Sequence, residues 1–191
     1  MSGNNRNFLQ ATGTARPTLV SSSPINSMPS VQFDGTDDFM EQAVLRNIGA
    51  QLTCFAVVRY TATGRAFLFC GDSDTMSIEL GQGFYETWDG TNYTNWETTG
   101  VAINTNYGYV MRRSTPAAST LTRNGSSMVF RDSLGSAFDS SFNIFSLGRR
   151  TGVAGFFWRG YISEAILYNR ALTPTEITGI RNYLIAKWGV G

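Results

Sequence analysis

The sequence predicts an all-β fold, an antiparallel two-sheet sandwich with one short C-terminal α-helix. Three observations carry this. From residue 31 onward, short apolar or alternating runs recur with turn signals between them, the spacing of strands in an antiparallel sandwich. Two dipeptides, Asp89-Gly90 and Asn124-Gly125, carry the chemistry of tight hairpin turns. After the strand-like stretch Gly160 to Tyr168 the pattern changes to that of a helix. There Thr173, Pro174 and Glu176 fit the N-cap, first and third helical positions, a capping box with proline where a missing N–H does no harm.

Residues 2–30 are rich in Ser, Thr, Asn and Pro, with few apolar anchors (Phe8, Leu9, Leu19, Val20, Ile25). Such a segment buries little by itself, so an extended N-terminal arm is expected over 1–30, leaving 31–191 as the folded domain. The strands are expected at Val31 to Met40, Leu52 to Tyr60, Ala66 to Cys70, Met76 to Leu80, Phe84 to Trp88 and Asn92 to Glu97. Further strands are expected at Tyr107 to Arg113, Ser119 to Arg123, Ser127 to Arg131, Asn143 to Leu147 and Phe157 to Tyr168. Asn124-Gly125 as a two-residue type I′ turn sets Leu121 opposite Met128 and Thr122 opposite Ser127. Asp89-Gly90 as a two-residue turn puts Phe84, Glu86 and Trp88 on one face with Thr91, Tyr93 and Asn95. Tyr85 and Thr87 then share the other face with Asn92, Thr94 and Trp96. In the helix, Ile177, Ile180, Leu184 and Trp188 fall on one side, and Gly189 is placed to stop it.

Composition narrows the function. The 191 residues suit one domain with a substantial core. A formal charge of +1 gives no electrostatic case for binding nucleic acid or an anionic membrane. The chain has no histidine, which removes Ser-His-Asp and Cys-His hydrolysis and histidine-based zinc sites. No apolar run approaches the length of a membrane span, and the N-terminus lacks the hydrophobic region of a signal peptide. Synthesis in a host cytoplasm is therefore expected. Cys54 and Cys70 lie on runs that pair if they form a hairpin; two buried free thiols are expected in preference to a bond.

Three separated pieces resemble the laminin-G-like, concanavalin A-like jelly rolls found as modules in many bacterial and phage proteins. They are Arg16-Pro17-Thr18-Leu19-Val20 leading to Val31-Gln32-Phe33-Asp34-Gly35-Thr36-Asp37-Asp38-Phe39, then Leu121-Thr122-Arg123-Asn124-Gly125, then Ser146-Leu147-Gly148-Arg149 with the unit from Gly160 to Trp188. The resemblance implies a two-sheet jelly roll whose last core strand is followed by one helix. Many relatives carry a further strand before the segment resembling Ser2-Gly3-Asn4-Asn5-Arg6. The sheet edge this leaves open raises the expectation of a homo-oligomer or of docking on a larger assembly.

Laminarinases share that architecture, but their E-x-D-x-E strand pattern is missing; the nearest strings hold Glu79 and, three apart, Glu86 and Asp89. No catalytic residues are therefore assigned. Asp34, Asp37 and Asp38 bunch in a Gly-containing loop and are candidate calcium ligands; the alternative is ordinary turn capping. Tyr85, Trp88, Tyr93 and Trp96 crowd one hairpin with Glu86, Asp89, Asn92 and Asn95. Aromatic faces stack on sugar rings while amides and carboxylates satisfy hydroxyls, so these are the candidate ligand-binding residues. Tyr107 and Tyr109 are expected in the core. Glu164, between Ile162 and Ile166, needs a partner, for which Arg149, Arg150 and Arg170 are available. The function expected is a non-enzymatic virion surface module, a capsid decoration or tail adhesion protein that docks on coat proteins and touches host glycans. The competing expectation is a free lectin-like domain or a glycoside hydrolase-related module of a larger bacterial protein.

Overall fold

A computed structural model describes residues 7–42, 51–62, 66–71, 77–80, 85–88, 93–96, 102–115, 118–127, 145–152 and 154–191. The described strands are β1 (Thr18–Val20), β2 (Ser30–Asp34), β3 (Met40–Gln42), β4 (Leu52–Tyr60), β5 (Ala66–Gly71), β6 (Ser77–Leu80) and β7 (Tyr85–Trp88). They continue as β8 (Tyr93–Trp96), β9 (Asn106–Thr115), β10 (Ala118–Arg123), β11 (Ser126–Ser127), β12 (Phe145–Leu147) and β13 (Arg159–Tyr168), followed by helix α1 (Pro174–Trp188). They form two antiparallel sheets, a seven-stranded one in the order β1-β2-β13-β4-β9-β10-β11 and a six-stranded one in the order β3-β12-β5-β6-β7-β8. This is the sandwich with one C-terminal helix that the sequence predicts.

Between the sheets lies a core that includes Phe33, Cys54, Tyr60, Leu68, Phe69, Tyr107, Tyr109, Phe145, Leu147 and Trp158. Tyr107 and Tyr109 thus sit where expected. Burying side chains such as Phe33, Phe69 and Leu68 contributes about 1.5–3 kcal/mol each relative to exposure. A second cluster joins the opposite face of the seven-stranded sheet (Phe55, Val57, Val110) to Leu184 and Trp188 of α1, with Ile25 and Leu172 beneath. Strand β4 is therefore covered on both sides, and nearly every one of its residues is buried, the reason its sequence runs apolar without alternation.

The helix signals operate as read. Thr173 accepts from the Glu176 amide while the Glu176 carboxylate accepts from the Thr173 amide, and Gly189 closes the helix in the left-handed region (φ 67°). In the NG hairpin, Thr122 pairs with Ser127, and Asn124 (φ 45°) and Gly125 (φ 77°) carry the positive φ values of a type I′ turn. Met128 lies outside the described residues.

Four readings change. The run Val31 to Met40 is two strands in different sheets, because Gly35 (φ 78°) turns the chain against the Arg159 side chain. The segment before residue 30 contributes β1, the edge of the seven-stranded sheet, while Leu9 bridges Glu41 beside the other sheet. Cys54 and Cys70 do not share a hairpin, since β4 and β5 belong to different sheets. Cys54 is a free buried thiol whose pKa burial pushes up to about 12.

The fourth concerns Glu164. A bulge at Ser163 shifts the register between Ile162 and Glu164, so Ile162 enters the inter-sheet core while Glu164 joins Ile166 on the helix side. The bulge is held by a serine chain, Ser23 to Ser30 at 2.7 Å and Ser30 to Ser163 at 2.6 Å. The partners of Glu164 are then on α1, not among the arginines. Lys187 Nζ (2.9 Å) and Trp188 Nε1 (2.6 Å) donate to its Oε2, and the Tyr183 hydroxyl donates to Oε1 (2.9 Å).

Candidate functional site

The seven-stranded sheet has its outer face under α1. Over the outer face of the six-stranded sheet, the described residues include no third layer of helix or strand. The face assignments there follow from register. Phe69 is in the core, and its row across the sheet continues through Ile78 and Thr87 to Thr94. By alternation the next core-side row is Ala66, Leu80, Tyr85 and Trp96. A bulge at Leu68 keeps both Leu68 and Phe69 on the core side and preserves this assignment.

The opposite face then carries two rows. One is Cys70, Ser77, Trp88 and Tyr93; the other is Phe67, Glu79, Glu86 and Asn95. The aromatic quartet of the hairpin is thereby divided. Trp88 and Tyr93 are direct cross-strand partners on the outer face, with Glu86 and Asn95 one same-face step away. Tyr85 and Trp96 are partners on the core-side face. The faces are shared as alternation predicts, but four residues rather than two separate the paired ends Trp88 and Tyr93. A shift of two leaves parity intact, so the partition survives the longer connection. Asp89 and Asn92 lie outside the described residues.

Sequence reasoning passed over Phe67, Ser77 and Glu79 as members of this face. The signal was present in the alternation of Ser77-Ile78-Glu79-Leu80 against Tyr85-Glu86-Thr87-Trp88, and it becomes readable once the pairing is known. At the β3 end, the same face continues from Cys70 to Ser146 and Glu41. There Ser146 donates to the Glu41 carboxylate at 2.8 Å, Arg149 pairs with it, and the Arg149 guanidinium lies 3.6 Å from the centroid of the Phe39 ring.

The acidic loop is assembled as the sequence suggests: oxygens of Asp34, Asp37 and Asp38 lie within 4.8 Å of one another. Asp34 Oδ1 accepts from the amides of Thr36 (2.7 Å) and Asp37 (3.3 Å), and Asp38 Oδ2 accepts from the amide of Asp34 (2.9 Å). Burial raises the pKa of Asp34, but the amides of Thr36, Asp37 and Asp38 outweigh it and leave the carboxyl below its usual range. Asp38 is raised, first by burial and then by the charges of Asp34 and Asp37, against the amide of Asp34. Turn capping thus engages two of the three carboxylates, and the remaining oxygens are of the hard type that suits a calcium ion.

No family model matches the chain, and no curated protein sequence matches it. Solved structures do resemble it. The binding domain of Paraclostridial Mosquitocidal Protein 1 superposes with a TM-score of 0.71 at 13% identity, over 97% of this chain and 49% of that one. The chain thus spans about half the length of that toxin domain. The native heptameric SAP-like pentraxin from Limulus polyphemus gives 0.63 at 12% identity, covering 79% and 80%. Domain 4 of AbnA, a GH43 extracellular arabinanase from Geobacillus stearothermophilus, in complex with arabinotriose, gives 0.59 at 17%, covering 86% and 80%. At such identities the likeness establishes the β-sandwich, jelly-roll fold.

Proposed function

We propose that this chain is a non-enzymatic, lectin-like surface module that binds saccharide on the outer face of its six-stranded sheet. The observation that carries the reading is the register that puts Trp88 opposite Tyr93 on the face away from the core, beside Glu86 and Asn95. Adjacent aromatic residues offer a stacking platform for a pyranose, and the amide and carboxylate provide hydroxyl partners. Two fold neighbours support it: one is a toxin's binding domain and another was solved with arabinotriose. The lack of histidine and of an E-x-D-x-E triplet supports binding over hydrolysis.

A glycan array followed by calorimetry on the best ligand tests this. Trp88→Ala is expected to weaken binding at least about tenfold without lowering the melting temperature, whereas Trp96→Ala, on the core-side face, lowers it. Binding indifferent to Trp88→Ala, or an array without any ligand, defeats the reading.

The setting we propose is a virion surface, with the chain docked on coat proteins as a homo-oligomer. Its support is the resemblance of the three sequence pieces to phage modules, together with a neighbour that is itself heptameric. Detection of the polypeptide by mass spectrometry in purified particles is the expected result; its absence there overturns this placement.

A further inference from the structure

We infer that the cleft between the end of β13 and the first half of α1 binds a neutral aromatic small molecule carrying a hydrogen-bond acceptor at its edge. The cleft belongs to the helix side of the seven-stranded sheet. It is therefore separate from the face proposed for saccharide and stands independently of that reading. Its cavity has a volume of about 240 Å³ and is lined by Tyr168, Arg170, Leu172, Glu176, Gly179 and Ile180. An apolar cavity of about 150 Å³ takes a benzene, so this one has room for a single ring with a short substituent.

The floor is apolar and rigidly held. Leu172 is 1% exposed, and side chains from β4 and β9 fix the backbone around it. Thr53 Oγ1 donates to the Arg170 carbonyl (3.0 Å) and accepts from the Leu172 amide (2.9 Å), while Arg112 Nε donates to the Leu172 carbonyl (2.7 Å). The Tyr168 ring stands edge-on to Phe55, with centroids 6.3 Å apart and planes at 79°, and Ile180 packs against the same cluster. On the helix side the cleft is open, since a Cβ added at Gly179 meets no atom within 4 Å.

The rim decides the ligand. Arg170 Nη2 donates to Glu176 Oε1 (2.5 Å), while Arg170 Nη1 (3.0 Å), the Thr173 amide (2.8 Å) and the Thr173 hydroxyl (2.9 Å) donate to Oε2. A carboxylate has about four lone-pair sites, so the acceptor capacity of Glu176 is filled. The carbonyls of Arg170 and Leu172 are engaged as well. A polyol, each of whose hydroxyls needs an acceptor, is poorly matched to such a lining. The charges of Arg170 and Glu176 offset each other, which favours a neutral ligand over either ion. Held by its fork, the Arg170 guanidinium keeps its planar faces and its remaining N–H groups, so it can stack on an aromatic ring and donate to an acceptor beside it. Every protein aromatic with a polar edge carries a donor there, and this points to a small molecule rather than a partner's side chain.

The test is a titration of the whole chain, followed by amide chemical shifts, with acetophenone, cyclohexyl methyl ketone and methyl β-glucopyranoside. Acetophenone should saturate with a Kd of about 1–10 mM, the range of a one-ring ligand in a small site. Its shift changes should centre on residues 168–180. The second ketone, which differs only in lacking aromaticity, should bind at least about fivefold more weakly, and the glycoside should not saturate at these residues. Gly179→Leu fills the mouth and should abolish binding while melting no lower than the parent, because leucine is the better helix former. Arg170→Met should weaken acetophenone at least about fivefold. The shift map of the parent protein locates the site whether or not a variant folds. No saturation by acetophenone, or changes centred elsewhere, overturns the inference. So does equal affinity for the two ketones, saturation of the same residues by the glycoside, or binding that survives Gly179→Leu in a folded protein.

Discussion

Glu164→Ala should undo the clamp between β13 and α1, and its cost is calculable from the partners it abandons. Trp188 is only 3% exposed, so its Nε1–H, now 2.6 Å from Glu164 Oε2, loses its acceptor in a buried place. That leaves about 1–3 kcal/mol unrecovered. The Lys187 ion pair is partly exposed, with side chains 34% and 19% accessible, and is worth about 0.5–1 kcal/mol after solvent screening. Tyr183 is half exposed and finds water instead. The sum is about 1.5–4 kcal/mol, and for a domain of this size the melting temperature should fall by about 3–16 °C. Glu164→Gln keeps an acceptor oxygen for the indole and should cost about 1 kcal/mol or less. Differential scanning calorimetry of both variants, repeated in a Trp188→Phe background, isolates the indole share. A fall within about 1 °C for Glu164→Ala, or equal falls for Ala and Gln, refutes the assignment.

Two glycines should respond oppositely. Gly179 lies in α1 with no atom within 4 Å of an added Cβ, so Gly179→Ala should stabilise by about 1 kcal/mol, seen as a higher midpoint in urea. Gly160 has φ 139°, and a Cβ there collides with the Arg59 carbonyl oxygen, so Gly160→Ala should abolish soluble expression or cooperative melting. Asp38 has a folded pKa above its usual value near 3.8, so its ionised form opposes folding and the penalty is fully present above that folded pKa. Asp38→Asn, measured by thermal melting in chelator, should therefore melt no lower than the parent at pH 7, with any gain shrinking toward pH 3. Calcium added to the parent reads whether the loop takes an ion: a rise in melting temperature that Asp38→Asn loses marks one, and no rise leaves the carboxylates as caps. Cys54, buried and raised to about 12, should resist alkylation in the native protein and react in denaturant; labelling of Cys54 at native rates, located by peptide mapping, contradicts the burial.

Local chemistry was legible wherever a few neighbouring residues decide the backbone. The capping box at Thr173 and Glu176, the left-handed stop at Gly189 and the Asn124-Gly125 turn depend on side chain-to-backbone bonds within four residues or on positive φ. Strand positions such as Leu52–Tyr60 followed from apolar runs bounded by turn residues. What was not legible depends on register between distant segments. The Ser163 bulge moves Glu164 to the other face, and the Ser163 hydroxyl there is hydrogen-bonded to that of Ser30, 133 residues earlier in the chain, which is bonded in turn to Ser23. The separation of Cys54 from Cys70 likewise turns on which sheet each strand joins, a choice that no local pattern encodes.

The same dependence decides which surface is available for binding. A face-to-face sandwich has two outer faces, and covering one with a helix should leave that sheet's central strands apolar throughout and the other sheet's strands alternating. Strand β4, Leu52-Thr53-Cys54-Phe55-Ala56-Val57-Val58, has the first pattern and lies beneath α1. Strands β6 to β8 have the second, with Ser77, Glu79, Glu86, Trp88, Tyr93 and Asn95 all falling on the outer side of the register. The helix covers the outer face of the seven-stranded sheet, and among the described residues no helix or strand covers that of the six-stranded sheet.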